Sequence, residues 1–254
     1  MSESDFPIKV VAFLDVLGFE SLIGKMEGDN NQWRKIYELL SQVHSVKHFS
    51  NTPNTTQAEL NVSVFSDCIA ISSTEDNYVN LLWTVIGLQA RLLAEGILIR
   101  GGISKGKLIH HEDMLYGPAL IRSYKLESTT AIYPRVILDP EVVALMPAQF
   151  RLAFLIRDND GINFLNPFCL GIDPKNSMEL FEDGYDTYRV ALDQLDEVIK
   201  EEIKGLNNIT HMAKWEWLKT QLKETITEYD RIGAPRVIAL SKAGRKAAKS
   251  NHSH

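Results

Sequence analysis

The chain has 254 residues, with 27 Lys and Arg against 33 Asp and Glu, for a formal net charge of −6. Hydrophobic residues make up 44% and charged residues 24%, the balance of a globular protein with a sizeable core. With 15 Gly and 9 Pro it is no collagenous or linker-dominated chain, and two cysteines without a CxxC argue against a disulfide framework and a structural zinc site. The mild acidity argues against a large duplex-binding surface, so no nucleic-acid partner is expected. It leaves room for a small basic pocket that holds a phosphorylated ligand.

In chain order, Ile8–Leu14 is an apolar run ending at Asp15 and predicts a buried central strand. A short helix with Phe19, Leu22 and Ile23 on one side follows Gly18. Ile36, Leu39, Val43 and Val46 predict a second helix from Trp33, and 51–56 is a loop. Leu60–Phe65 and Ile69–Ser72 are short strands around Ser66-Asp67-Cys68, a hairpin-sized gap with Asp67 at or beside its tip. A long helix runs from Asn77 through Leu92 and stops at Gly96. Ile97–Ile109 predicts a strand, Gly117–Leu126 a helix and Arg135–Leu138 a strand. Asp139-Pro140-Glu141 then opens a short helix. The order resembles a split βαβ arrangement, an α+β fold with helices over an antiparallel sheet. Beyond it, Arg151–Arg157 and Ile162–Leu165 predict a hairpin around Asp158–Gly161. Helices from Tyr188 to Ile203 and from about Met212 follow. The tail 241–254 is basic and is expected to be disordered. Acidic residues ahead of the first strand and no small-residue cleavage site predict no secretory leader. No 18-residue apolar run predicts a membrane span. A cytoplasmic location fits both.

Asp15 at the carboxyl end of a buried strand and Asp67 in a tight hairpin converge if their strands are neighbours. Two carboxylates held together repel, and a divalent cation such as Mg²⁺ relieves the repulsion. The alternative is a helix cap for Asp15 and a turn role for Asp67. Val16-Leu17-Gly18-Phe19 passes from strand to helix, where free N–H groups can receive phosphate oxygens. Gly101-Gly102-Ile103-Ser104-Lys105-Gly106-Lys107 comes near a Walker A pattern. However, Leu108 replaces the metal-binding Ser or Thr and the segment is β-like, which excludes a P-loop. Its glycines predict close approach of another chain or a nucleotide. Arg100 is a candidate phosphate ligand or else the partner of a nearby acid. Arg122 and Lys125 share a helix face, as candidates for charge stabilisation or as solvated cations. His110 and His111 lack companions for zinc. Cys68 lacks the partner of a nucleophile, and Trp215 and Trp217 lack the basic interleaving of a stacking surface.

Four motifs in order and spacing, Phe13–Phe19, Phe65–Cys68, Arg100–Gly106 and Tyr116–Leu120, resemble the class III nucleotidyl cyclases. With Tyr124–Glu127 and Ala131–Arg135, the chain is most similar to the bacterial pyrimidine cyclases of the Pycsar anti-phage system. The resemblance implies a ferredoxin-like catalytic core over 8–145, a C-terminal hairpin and helices over 146–240, and a tail over 241–254. It implies that Asp15 and Asp67 hold two Mg²⁺ or Mn²⁺ ions and that Val16, Leu17, Gly18 and Phe19 receive the triphosphate. Arg100 would lie near the phosphates. A homodimer would share its active sites between subunits, and attack of the 3′-hydroxyl on the α-phosphate would release diphosphate. One ion would activate the oxygen while the other neutralises the phosphates.

Ile121 and Lys125 stand where purine cyclases carry Asn and Arg, so Lys125 keeps a cation without the guanidinium fork. Ser63 and Met114 stand at the base-selecting positions without the purine-reading pairs. That argues against ATP and GTP and for a pyrimidine nucleoside triphosphate, UTP with cyclic UMP as product or alternatively CTP with cyclic CMP. The product would activate a separate effector protein. The rival readings are a purine cyclase with an atypical pocket, a silent cyclase-like dimerisation or nucleotide-sensing domain, and a generic α+β interaction domain.

Overall fold

A computed structural model describes residues 6–26, 60–111, 114–169 and 185–232, with isolated positions between 34 and 41. The expected helix from Trp33 to Val46 lies almost wholly, and the basic tail 241–254 entirely, outside the described residues.

Strand β1 (Ile8–Val16) is the axis of the molecule. Helix α1 (Phe19–Met26) follows it, then the hairpin of β2 (Asn61–Phe65) and β3 (Cys68–Thr74). Helix α2 (Tyr78–Ala94) leads to β4 (Ile99–Lys107), and Gly96 makes the turn between them at φ 73°. The sheet order β2-β3-β1-β4, with every pair antiparallel, is that of a βαββαβ ferredoxin-like unit. A small ribbon of β5 (Ile109–His111) and β6 (Met114–Tyr116) leads into α3 (Pro118–Lys125) and then β7 (Val136–Leu138), parallel to β4. Helices α4 (Pro140–Leu145) and α5 (Ala148–Phe154) precede β8 (Leu155–Arg157) and β9 (Asn163–Leu165), which extend the sheet to seven strands. Helices α6 (Tyr185–Lys204) and α7 (Ile209–Ile232) close the chain. The fold is α+β, with an antiparallel-rich sheet covered by helices.

Alternation along β1 decides its two faces. Val10, Ala12, Leu14 and Val16 join Leu81, Val85 and Leu88 of α2 in the main core, while Val11 meets Leu108 and Ala119 on the α3 side. Each fully buried aliphatic side chain contributes on the order of 2 kcal/mol. Helix α3 can lie flat on β4 because of glycines. A Cβ on Gly102 would come within 2.3 Å of the Ser123 carbonyl oxygen, and one on Gly106 within 2.5 Å of the Arg122 guanidinium. These glycines admit a helix of their own chain, not a second chain or a nucleotide.

Three elements differ from expectation. Residues 151–154 are helical instead of extended, because Phe150 and Phe154 are one turn apart and pack edge to face at 5.7 Å. The strand expected over 97–109 breaks at Leu108, where the chain turns into the ribbon. Helix α3 runs on as a π-turn over Leu126–Thr130, closed by the Ala131 N–H donating to the Leu126 carbonyl at 2.9 Å.

Arg135 ties the C-terminal hairpin to the sheet. Its side chain is buried and pairs with Asp158 and Asp160 in the β8–β9 turn. The Trp217 indole of α7 donates to Asp158 Oδ2 at 3.2 Å and stacks on Tyr133 at 5.3 Å. Removing one partner of a buried pair strands the other charge. Asp158→Asn should therefore cost about 3–5 kcal/mol. Asp160→Asn, whose carboxylate is half exposed, should cost about 1 kcal/mol or less. Denaturant melts of the two variants check this order. Hydrogen bonding to Arg135 holds the Asp160 carboxyl below its ordinary value. Its share of stability should be complete above about pH 4 and lost as pH falls through the lowered value. An acid titration in which Asp160→Asn lacks that loss would show it.

Candidate functional site

The carboxyl end of β1 carries the chemistry. In register, Asp15 stands opposite Cys68 on β3 and opposite Arg100 on β4, so all three project on the same side of the sheet. Asp67 arrives differently from expectation. The β2 strand does not neighbour β1, because β3 lies between them. Ser66 and Asp67 form the tip of the β2–β3 hairpin, Ser66 in the left-handed region at φ 55°. The tip folds over the end of β1, where the Val16 N–H donates to the Asp67 carbonyl at 2.9 Å. One ligand atom from each of Asp15, Asp67 and Cys68 then lies within 4.8 Å of the others. These donors could hold a divalent cation, with the carboxylates suited to a hard ion. The Cys68 thiol donates weakly to Asp67 Oδ1 at 3.6 Å. Burial first, then the Asp67 charge, pushes it up to about 12, so it is an inert thiol at neutral pH.

Arg100 bridges acids. Its Nε donates to Asp15 Oδ2 at 3.0 Å and its Nη2 lies 2.7 Å from Glu127 Oε1. Glu127 is buried, and burial raises its carboxyl above the usual range despite Arg100. Sequence reading missed Glu127 because helical spacing from Lys125 sets it apart. The π-turn instead carries it over Gly102 toward Arg100. Lys214 of α7 was also missed. Burial, and then the Arg100 charge, lowers its ammonium below the usual value, and Asp15 acts in the opposite direction. A cation 114 residues from Arg100 leaves no local signal.

The backbone after β1 is partly committed. The Val16 N–H bonds Asp67 and the Leu17 N–H donates to the Leu98 carbonyl at 2.8 Å. Among the described residues, Gly18 at φ 75° and Phe19 have no backbone acceptor for their N–H groups, at the start of α1. Arg122 donates to the Lys105 carbonyl and lies 3.9 Å from Asp139, so it holds α3 on β4. Lys125 is exposed at the end of α3. Exposed apolar residues include Ile121 and Tyr124 on α3, Ile132, Met114 and Tyr116, with Phe65 at 82% beside the hairpin tip.

Ser63 and Met114 engage adjacent residues of the ribbon. Met114 pairs with His111, and the Ser63 Oγ lies 2.9 Å from Nε2 of the buried His110. The Ser72 Oγ, fully buried, lies 2.9 Å from His110 Nδ1. Among the described residues Nδ1 is the hydrogen-bond partner of that hydroxyl. A buried donor left unbonded costs about 1–3 kcal/mol, whereas a half-exposed hydroxyl can turn to water. The hydrogen bonding therefore assigns Ser72 as donor to Nδ1. The Lys9 ammonium donates to the His110 carbonyl at 3.3 Å. Nε2–H then donates to Ser63 Oγ. Adjacent histidines without a third ligand carried no sequence signal for this arrangement.

No helix among the described residues is long and apolar enough to cross a membrane. No family model matches the chain, and no curated protein matches it significantly. Among solved structures, a bacterial light-regulated adenylyl cyclase aligns with 78% of this chain and 99% of its own at 15% identity and TM-score 0.46. A class III adenylyl cyclase-like ATP-binding protein from Pseudomonas aeruginosa aligns over 64% of this chain and 40% of its own at 12% identity and TM-score 0.38. An adenylate/guanylate cyclase/hydrolase from Silicibacter pomeroyi aligns over 64% of this chain and 98% of its own at 14% identity and TM-score 0.41.

Proposed function

We propose that the chain is a pyrimidine nucleotide cyclase that converts UTP to 3′,5′-cyclic UMP and diphosphate. The observation that carries this reading is the convergence of Asp15 and Asp67 beside Arg100, at the open end of the central strand. Asp15 and Asp67 would hold the divalent ions, Mg²⁺ or Mn²⁺. Bound there, the metal supplies neutralisation of phosphate charge and acidification of the 3′-hydroxyl. The chain's own residues do the positioning. Arg100 and Lys214 bring positive charge to the same end of the sheet, and the Gly18 and Phe19 N–H groups lie at a helix start, where phosphate oxygens bind. In the reaction the 3′-oxygen bonds the α-phosphorus and loses its proton to solvent. The bond from that phosphorus to the bridging oxygen breaks, and diphosphate leaves with the electron pair. Both reacting groups belong to one substrate, so orientation and charge supply most of the acceleration.

The reading includes a homodimer with shared sites. Ile121 and Tyr124 on the helix that carries Lys125, and Ile132, Met114 and Tyr116, are exposed apolar residues. Lys125 would reach the phosphates of the partner subunit's nucleotide. The catalytic core would span 8–145, with the later elements as support and as the source of Lys214. A cytoplasmic signalling role, through a separate effector that binds the product, completes the proposal.

Incubation with ATP, GTP, CTP and UTP separately, in Mn²⁺ and Mg²⁺, with mass spectrometry of products, tests the reaction. Cyclic UMP is expected. Cyclic CMP alone would transfer the reading to CTP. No product from folded dimer would favour a silent nucleotide-sensing domain. Asp15→Ala and Asp67→Ala should each lower turnover by on the order of 10³-fold while the dimer persists. Mixing Asp15→Ala with Lys125→Ala protein should restore part of the activity through one intact shared site. Confirmed heterodimers without recovery would overturn the split site. Glu127→Gln leaves the Arg100 charge wholly to Asp15. Mn²⁺ affinity, read by electron paramagnetic resonance, should fall by about tenfold, equivalent to ~1.4 kcal/mol.

A further inference from the structure

We infer that Arg100 and a divalent cation exchange on the Asp15 carboxylate, and that Glu127 is the positioning residue that takes over the guanidinium. The inference rests on the metal reading above and adds what controls access to that site. Arg100 holds the carboxylate until a cation replaces it, and the replacement turns the arginine to the phosphates.

The contacts around Arg100 are unequal. Its Nε makes an aligned hydrogen bond to Asp15 Oδ2 at 3.0 Å. Its Nη2 lies closer to Glu127, 2.7 Å from Oε1, yet among the described residues that buried oxygen accepts no aligned hydrogen bond. The guanidinium is aimed at Asp15 and only rests against Glu127. A buried carboxylate oxygen without a hydrogen bond is costly, and a planar fork squared on the carboxylate removes that cost. Glu127 therefore offers the arginine a second place within reach of its first.

Packing decides which of the three side chains moves. Asp15 stands on a strand bonded along both edges. Glu127 is buried, and its backbone is fixed by the π-turn. There the Ser128 hydroxyl donates to the Tyr124 carbonyl at 2.9 Å and the Thr129 hydroxyl to the Lys125 carbonyl at 2.6 Å. A Cβ on Gly102 would come within 3.2 Å of the Glu127 backbone nitrogen, so the turn lies hard against the strand. The Arg100 side chain is long and 26% exposed, and rotamer changes alone carry it from one acid to the other.

Charge drives the exchange. A doubly charged ion on one oxygen of Asp15, with Nε on the other, would hold like charges within about 5 Å. Transfer of the guanidinium to Glu127 relieves that repulsion. The remaining N–H groups of the fork are then released to phosphate oxygens. Cation and triphosphate favour the same arginine position, so by linkage each tightens the binding of the other.

Spectra and metal binding of the full chain test this. Arg100 side-chain ¹⁵N resonances, assigned with Arg100→Gln, are followed as Mg²⁺ is added. A fork bonded through two nitrogens to one carboxylate stops Nη rotation. Resolved Nη protons should therefore appear with Mg²⁺ in wild type and not in Glu127→Gln. Mn²⁺ affinity without nucleotide, read by electron paramagnetic resonance, should rise by on the order of tenfold in Arg100→Gln, because the competing cation is gone. Wild type and Arg100→Gln decide the question by themselves if Glu127→Gln does not fold. Mg²⁺ binding that leaves Arg100 on Asp15 overturns the exchange and leaves the cyclase reading standing. So does an unchanged or lower Mn²⁺ affinity in folded Arg100→Gln, or the same spectral change in folded Glu127→Gln. Exchange in wild type, with no cyclic product from any of the four triphosphates, upholds the inference and overturns the cyclase reading. No Mn²⁺ binding, or binding that Asp15→Ala leaves unchanged, overturns both.

Discussion

Everything at the candidate site depends on β1 being bonded along both edges and buried on both faces. Its antiparallel pairing with β3 on one side and β4 on the other sets Asp15 against Cys68 and Arg100 in one row. A slip of one residue would turn Asp15 into the main core beneath α2, so the apolar alternation of Val10, Ala12, Leu14 and Val16 protects the site geometry as well as stability. The hairpin tip is then positioned by one backbone bond, from the Val16 N–H to the Asp67 carbonyl. Carboxylates 52 residues apart meet because a core strand ends where a turn folds over it.

Meeting alone would be unfavourable. Asp15, Asp67 and Glu127 are three carboxylates at one end of a sheet, and burial lifts the Glu127 carboxyl above its usual range. Arg100 relieves the repulsion by bridging Asp15 and Glu127. Burial, and then the same arginine, lowers the Lys214 ammonium, while Asp15 acts in the opposite direction. Such a cluster is poised for an incoming divalent cation and an anionic ligand, each compensating a charge the other introduces.

Glycine and the π-turn govern the opposite layer. Bare β4 backbone at Gly102 and Gly106 lets α3 approach closely, and the turn after it carries Glu127 inward instead of leaving it on the helix surface. Farther along, buried Arg135 fastens the β8–β9 turn, and through Asp158 the indole of Trp217 on α7. That clamp places the helix from which Lys214 extends.

Most of the fold was legible in the amino-acid order. The apolar run before Asp15, the hairpin-sized gap at Asp67, the long stripe from Leu81 to Leu92 and the two C-terminal helices all follow from local periodicity and turn chemistry. Residues 151–154 were misread, because a short apolar run suits strand or helix equally and the Phe150–Phe154 contact decides it. The carboxylate pair was legible as a possibility, since strand ends and turns have local signatures. Its partners were not. Glu127 beside Arg100, Lys214 within the field of Arg100 and Asp15, and His110 between Ser63 and Ser72 are long-range relations made by sheet register, a π-turn and a distant helix. Local sequence alone determined which segments are strands and helices and which acids stand at their ends. Only tertiary structure decided which charges and hydroxyls face one another, because those pairings are set by how the segments pack in space.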